Sequence, residues 1–163
     1  MAEDKVKVKF KSEMLKKILK NFKRPGYVKV GILQSSGKIG RSDEKSKINN
    51  AELGAVHEFG TQNIPERSFL RMPLEDDFDA ELEKSAADKD FCELMVKDPN
   101  AFLNRLGQKA LKVVQNAFNN GGSSQTKWTA LNPKYAKTKN VNMILVETSQ
   151  LRDSVSYEVV EGN

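Results

Sequence analysis

One cysteine, one histidine and one tryptophan stand in 163 residues. Cys92 has no second cysteine to meet, so no intramolecular disulfide holds the chain, which fits a reducing compartment. A Ser-His-Asp or Cys-His relay would have to pass through His57. A zinc site needs three or four nitrogen or sulfur ligands, and one histidine with one cysteine falls short. In the helical metalloprotease pattern a second histidine stands three residues after the glutamate, and after Glu58 that position is Thr61. His57 therefore reads as a helix-end residue making a structural or interface hydrogen bond. Glycines are also too few and wrongly spaced for a phosphate cradle. Gly37-Lys38-Ile39-Gly40-Arg41-Ser42 lacks both the four-residue gap and the Gly-Lys-Ser/Thr ending of a P-loop. No apolar run approaches the roughly 18–20 residues of a membrane span, and Met1-Ala2-Glu3-Asp4-Lys5 has no apolar signal core. No enzyme activity, cofactor, metal or membrane partner is expected.

Charge is abundant. Charged residues make up 30% of the chain and hydrophobic ones 38%, with a net charge of +5. The average conceals two opposed segments. Residues 1–24 hold nine Lys/Arg against Glu3, Asp4 and Glu13, a surplus of six. Residues 75–98 hold ten Asp/Glu against Lys84, Lys89 and Lys97, a deficit of seven. The basic segment suits nucleic acid, whereas the acidic one argues against a chain devoted to phosphate backbones. Two solvated faces, or head-to-tail pairing between subunits, account for both. The carboxylates of 75–83 read as a solvated helix face, with no acid–base role. Trp128 and Tyr135 lie among Lys127, Lys134, Lys137 and Lys139, the pattern of a stacking platform for single strands or of a loop folded onto its own core.

Periodicity predicts one α+β domain over residues 1–163, with a basic segment at 1–24. Period-two apolar alternation predicts strands at 5–10 and 155–160; a β-branched strand is expected at 27–33 and a short one at 144–146. Ser12 is expected to cap a helix to Phe22. Asn49 with Glu52 forms a capping box, with Ile48 and Leu53 as its staple, and Gly60 stops that helix. Leu70, Leu74, Phe78 and Leu82 stripe an acidic helix entered through Pro73. Asp98-Pro99 opens a long helix with Leu103, Leu106, Ala110, Val113, Val114 and Ala117 buried, ended by Gly121-Gly122. Thr148 is expected to cap a final turn through Leu151. The sum is a small, mainly antiparallel sheet packed against two long helices, with long projecting loops at 34–47 and 121–143. Between Phe59 and Phe69, Gly60 and Pro65 leave the backbone few alternatives. That connection is expected to be rigid, with both rings buried.

Four blocks carry a family likeness. They are Tyr27–Leu33, the pair His57-Glu58-Phe59-Gly60-Thr61 and Ile64-Pro65-Glu66-Arg67-Ser68-Phe69-Leu70-Arg71, then Trp128-Thr129-Ala130-Leu131-Asn132-Pro133-Lys134-Tyr135 with Lys139, and finally Leu145–Val155. In order and spacing they resemble the tail-completion and virion-morphogenesis proteins (minor tail or neck proteins) of tailed bacteriophages. The body over 27–160 is the span of that likeness. Ser149 stands where that family usually has glycine, so the turn there is expected to be less tight. The resemblance implies a structural virion protein at the head–tail junction or the top of the tail, needed for head–tail joining and assembled in the bacterial host cytoplasm. It implies a homo-oligomeric ring, hexameric or dodecameric, beside neck or connector proteins and a tail terminator or tube protein. Phage DNA would pass through the lumen without sequence-specific binding. His57, Phe59, Ile64, Arg67, Phe69, Trp128 and Tyr135 are the candidate structural or interface residues. A basic nucleic-acid-binding protein is the alternative.

Overall fold

The alternation of valines and isoleucine that marks residues 27–33 becomes a strand, β1 (Tyr27–Ile32), and that of 155–160 its partner, β2 (Val155–Val160). They pair antiparallel, with Val28 opposite Val159, Val30 opposite Tyr157 and Ile32 opposite Val155. Alternate residues of a strand share a face, so these six side chains form one apolar side. The computed structural model describes residues 26–33, 48–139, 143–146 and 149–162. The strand expected at 5–10, the helix at 12–22, the 34–47 loop and the Thr148 cap lie outside these. Between the strands come α1 (Asn50–Phe59), α2 (Arg71–Ala86), α3 (Lys89–Lys97), α4 (Pro99–Asn120), α5 (Pro133–Lys139) and α6 (Gln150–Ser154). The protein is thus mixed α+β and mostly helical, with a two-stranded sheet among the described residues.

The central helix is α4, against which the sheet, α2 and α3 all pack. Its start follows the sequence signal. The Asp98 carboxylate accepts the Ala101 amide at 3.0 Å, Pro99 occupies the first turn, and Gly121 ends the helix in the left-handed conformation. Gly107 lets the sheet come close, because a Cβ there would lie 2.3 Å from the Tyr157 ring. The capping box of α1 is also realised, with Asn49 Oδ1 accepting the Glu52 amide at 2.9 Å and Glu52 Oε2 accepting the Asn49 amide at 3.0 Å.

The core gathers Phe69, Val114, Ala117, Phe118, Trp128, Leu151 and Val155, with Val30 and Ile32 packed against them. All four family-like blocks therefore meet in one place, on the C-terminal half of α4. Phe118 is its hub. Its ring lies 5.3 Å from that of Phe69 and 5.7 Å, edge on, from that of Trp128. Such tilted and edge contacts suit the ring quadrupoles.

Several expectations are corrected. The acidic 75–98 segment is two helices, because Asp88 caps a fresh start by accepting the amides of Asp90 and Phe91 at 2.9 and 3.4 Å. The 121–143 segment does not project as one loop. Residues 121–128 close on themselves through Trp128 N to Gly121 O at 2.8 Å and Ser123 N to Thr126 O at 2.9 Å. Asp76 binds the Ser123 hydroxyl and Asp77 the Ser124 amide, which ties that turn to α2. Asn132 then caps α5, its side chain accepting the Lys134 amide at 2.9 Å. Residues 144–146 form a turn, with Leu145 at φ 62°, instead of a strand.

Ser149 enters α6 at φ 57°, ψ −5°. The turn is as tight as a glycine would make it, at the cost of a left-handed conformation that L side chains disfavour by roughly 1–2 kcal/mol. Ser149→Gly should relieve that strain. Net of glycine's greater unfolded-state freedom, it is expected to stabilise the chain by about 1 kcal/mol, or roughly 2–4 °C of melting temperature at this size. A lowered melting temperature would show that the hydroxyl contributes more than the strain removes. Phe69, fully buried, should be the costlier position. Phe69→Ala is expected to destabilise by about 3–5 kcal/mol in denaturant unfolding, and an unchanged midpoint would contradict its place in the core.

Candidate functional site

Residues 57–71 form a connection between two helices that is fixed from inside. α1 ends at Gly60, whose φ of 69° and close approach to the Glu66 backbone admit no side chain, since a Cβ would lie 2.8 Å from the Glu66 nitrogen. The Thr61 amide donates to Ile64 O at 2.8 Å, and the Thr61 hydroxyl accepts the Ile64 amide at 3.1 Å. The Arg67 amide then returns to His57 O at 2.8 Å, closing the loop against the helix it left.

At the centre is a residue that no catalytic or binding motif marked. Glu58 is buried, only 6% exposed. Its Oε1 accepts the Ser68 hydroxyl at 2.7 Å and the Arg71 amide at 2.9 Å, and its Oε2 accepts the amides of Phe69 at 2.9 Å and Leu70 at 3.0 Å. These donors belong to the start of α2. The Met72 amide donates to Ser68 Oγ at 3.0 Å, Pro73 has no N–H, and the Leu74 amide reaches Leu70 O at 3.3 Å. Every amide of the first turn is thus satisfied. Leu70, at the N-cap position, has no side chain for that task. A carboxylate from the preceding helix does it instead, and the positive end of the α2 dipole favours its charge.

Arg67 extends the same arrangement. Its Nε donates to Thr129 O at 3.1 Å and its Nη2 to Ala130 O at 3.5 Å. Burial pulls the guanidinium below the ordinary arginine range, and Tyr135 works in the opposite direction. The Trp128 indole donates to Ser68 O at 2.9 Å. The 57–71 and 128–135 blocks are therefore bonded to each other. Glu58 and Arg67 are the two buried charged residues among those described. No ion pair joins them, and backbone dipoles satisfy both.

The candidate residues separate into two groups. Arg67, Phe69 and Trp128 converge on this junction, while His57 and Ile64 hold it through backbone carbonyls. Phe59 does not join them. Its ring was expected to be buried and is 73% exposed, because Gly60 turns the chain away before the ring can fold back. Tyr135, on α5, is 44% exposed and anchors less than Trp128 does. Glu58, Ser68 and Phe118 were missed. The Ser68 hydroxyl donates directly to Glu58 and accepts from Met72, so it is engaged on both sides and only 1% exposed, unlike a nucleophile facing a substrate. Among the described residues no group of three His, Cys, Asp or Glu side chains is placed to hold a metal, and no helix is long and apolar enough to cross a membrane. No protein-family model, curated protein or solved structure matches the chain.

Glu58→Gln tests the junction. The amide keeps one acceptor oxygen and turns its NH2 toward backbone N–H donors that need an acceptor. Stability should fall by about 2–4 kcal/mol, from buried donors left unmet. Gln62→Ala, at an exposed site of the same loop, should change it by less than about 0.5 kcal/mol. Equal effects of the two would deny Glu58 its central role.

Proposed function

We propose that this chain is a structural assembly protein of a tailed-phage particle, a tail-completion or neck component that works as copies in a ring at the head–tail junction. The observation that carries the reading is Phe59, largely exposed at the end of a connection whose backbone is fixed by Glu58, Gly60 and Arg67. A single exposed phenylalanine is ordinary on a mobile loop. Held on a rigid support it is pre-organised, and association then loses little conformational freedom in ordering it. Aromatic residues, phenylalanine among them, are enriched at the cores of protein interfaces. The family-like wording of the 57–71, 128–135 and 145–155 blocks supports the particular assignment. A ring also needs heterologous contacts, in which one patch meets a different patch on the next copy. Neighbours of other kinds, a connector on one side and a terminator or tube protein on the other, fit the same role.

Phe59→Asp should leave the melting temperature of the isolated chain within about 1 °C of wild type, because the ring contributes little to the core. Light scattering of the purified chain should show smaller assemblies than wild type, and incorporation into particles in the phage host should be lost. Unchanged assembly size together with normal incorporation would remove Phe59 from any interface.

A further inference from the structure

A second feature lies away from the 57–71 connection. Arg105, Gln108, Lys109 and Lys112 share one face of α4, at spacings of three and four residues that bring side chains together. With Glu81 of α2 and Asp88 and Phe91 at the start of α3, they line an open cleft of about 320 Å³. Three cations face two carboxylates, a surplus of one positive charge. Both carboxylates are already occupied. Asp88 accepts the first amides of α3. Glu81 Oε1 lies 3.6 Å from both Lys109 Nζ and Lys112 Nζ, so it offsets their charge without taking a short hydrogen bond from either. Lys109 is held in place by the Phe91 ring, 5.5 Å from its ammonium. Arg105 and Gln108 make no hydrogen bond or ion pair with any described residue. The cleft thus presents a guanidinium fork, two ammonium groups and an amide, and its own acceptors leave most of these donors open.

A site rich in donors and poor in acceptors fits an oxyanion. Arg105, Lys109 and Lys112 line one cleft, and three cationic side chains suit an anion whose oxygens point in three directions. A carboxylate offers only two coplanar oxygens, which Arg105 alone would take up. We propose that this cleft binds a phosphoryl group, either free or carried on a nucleic-acid backbone. The inference uses none of the residues assigned to assembly and stands or falls independently of that assignment.

The test uses the full chain at pH 7.5, titrated calorimetrically with inorganic phosphate at one fixed ionic strength and, separately, by anisotropy with a short labelled DNA duplex over a series of salt concentrations. Arg105→Gln and Lys112→Gln should each weaken binding roughly tenfold, the loss expected for a charge-assisted hydrogen bond. Both side chains are exposed, so melting should not change. Arg105→Lys, which keeps the charge but loses the fork, should fall between wild type and Arg105→Gln. Lys29→Gln, on β1, should bind as wild type does. Binding of phosphate without duplex identifies a free phosphate as the ligand. Binding of duplex, with Arg105→Gln lowering the salt slope by about one, identifies the backbone. No binding of either probe, or binding unaffected by both α4 substitutions, would overturn the proposal.

Discussion

A carboxylate at the wrong end of one helix is the constraint on which this fold turns. Glu58 lies in the last turn of α1, where the dipole disfavours a negative charge. It is also removed from water, which on its own would be prohibitive. Both costs are offset only if the start of α2 is brought to it, because the α2 amides are the donors that satisfy it. The return of the Arg67 amide to His57 O and the burial of Phe69 accompany that contact. Unlike a salt bridge between long side chains, the contact draws three of its four donors from backbone amides, which have no rotamer freedom to lose. It therefore fixes geometry as well as energy.

The junction reaches the core through two further bonds. The Trp128 indole takes Ser68 O and the Arg67 guanidinium takes Thr129 O, so the residues flanking Phe69 are tied to the 128–130 segment. Phe69 then meets Phe118, and Phe118 meets Trp128, which closes a circuit of apolar and polar contacts around one point of α4. Sequence blocks separated by some sixty residues behave as one unit for this reason. Arg67 would be an expensive buried charge without those carbonyls. Its cost is tolerable because the carbonyls belong to an extended segment that no helix or sheet ladder claims.

Local signals were read where their partners lie close in sequence. The Asn49–Glu52 box, the Asp98-Pro99 start, the Gly121 stop and the β1 and β2 alternation each involve a few neighbouring residues, and each is realised. Asn132-Pro133 carries the same signature as Asp98-Pro99 and opens α5, but the polar surroundings hid it. Asp88 was equally legible as a cap and was submerged in the acidic run around it. The junction itself was out of reach. Nothing in the sequence says that Glu58 will meet a hydroxyl ten residues later and amides eleven to thirteen residues later, although its place near a helix C-terminus, against the dipole, was a clue. The burial of Phe59 was misjudged because rigidity of the backbone was equated with burial of the ring. Gly60 delivers the first and prevents the second.

The acidic segment shows how far a charge count departs from a surface. Of its ten carboxylates, Asp76 and Asp77 hold the 123–124 turn, and Asp88 and Asp98 cap helices. Glu81 faces Lys109 and Lys112, Glu93 pairs with Lys97 and Lys89, and Glu75 with Arg71. Asp79, Glu83 and Asp90 remain without a hydrogen bond or ion pair to any described residue. Arg71, Lys109 and Lys112, from outside the segment, offset up to three of the seven surplus negative charges, whereas the carboxylates bonded to neutral amides and a hydroxyl keep theirs. Exposed pairs of this kind contribute only about 0.2–1 kcal/mol each and are screened within roughly 8 Å at physiological salt.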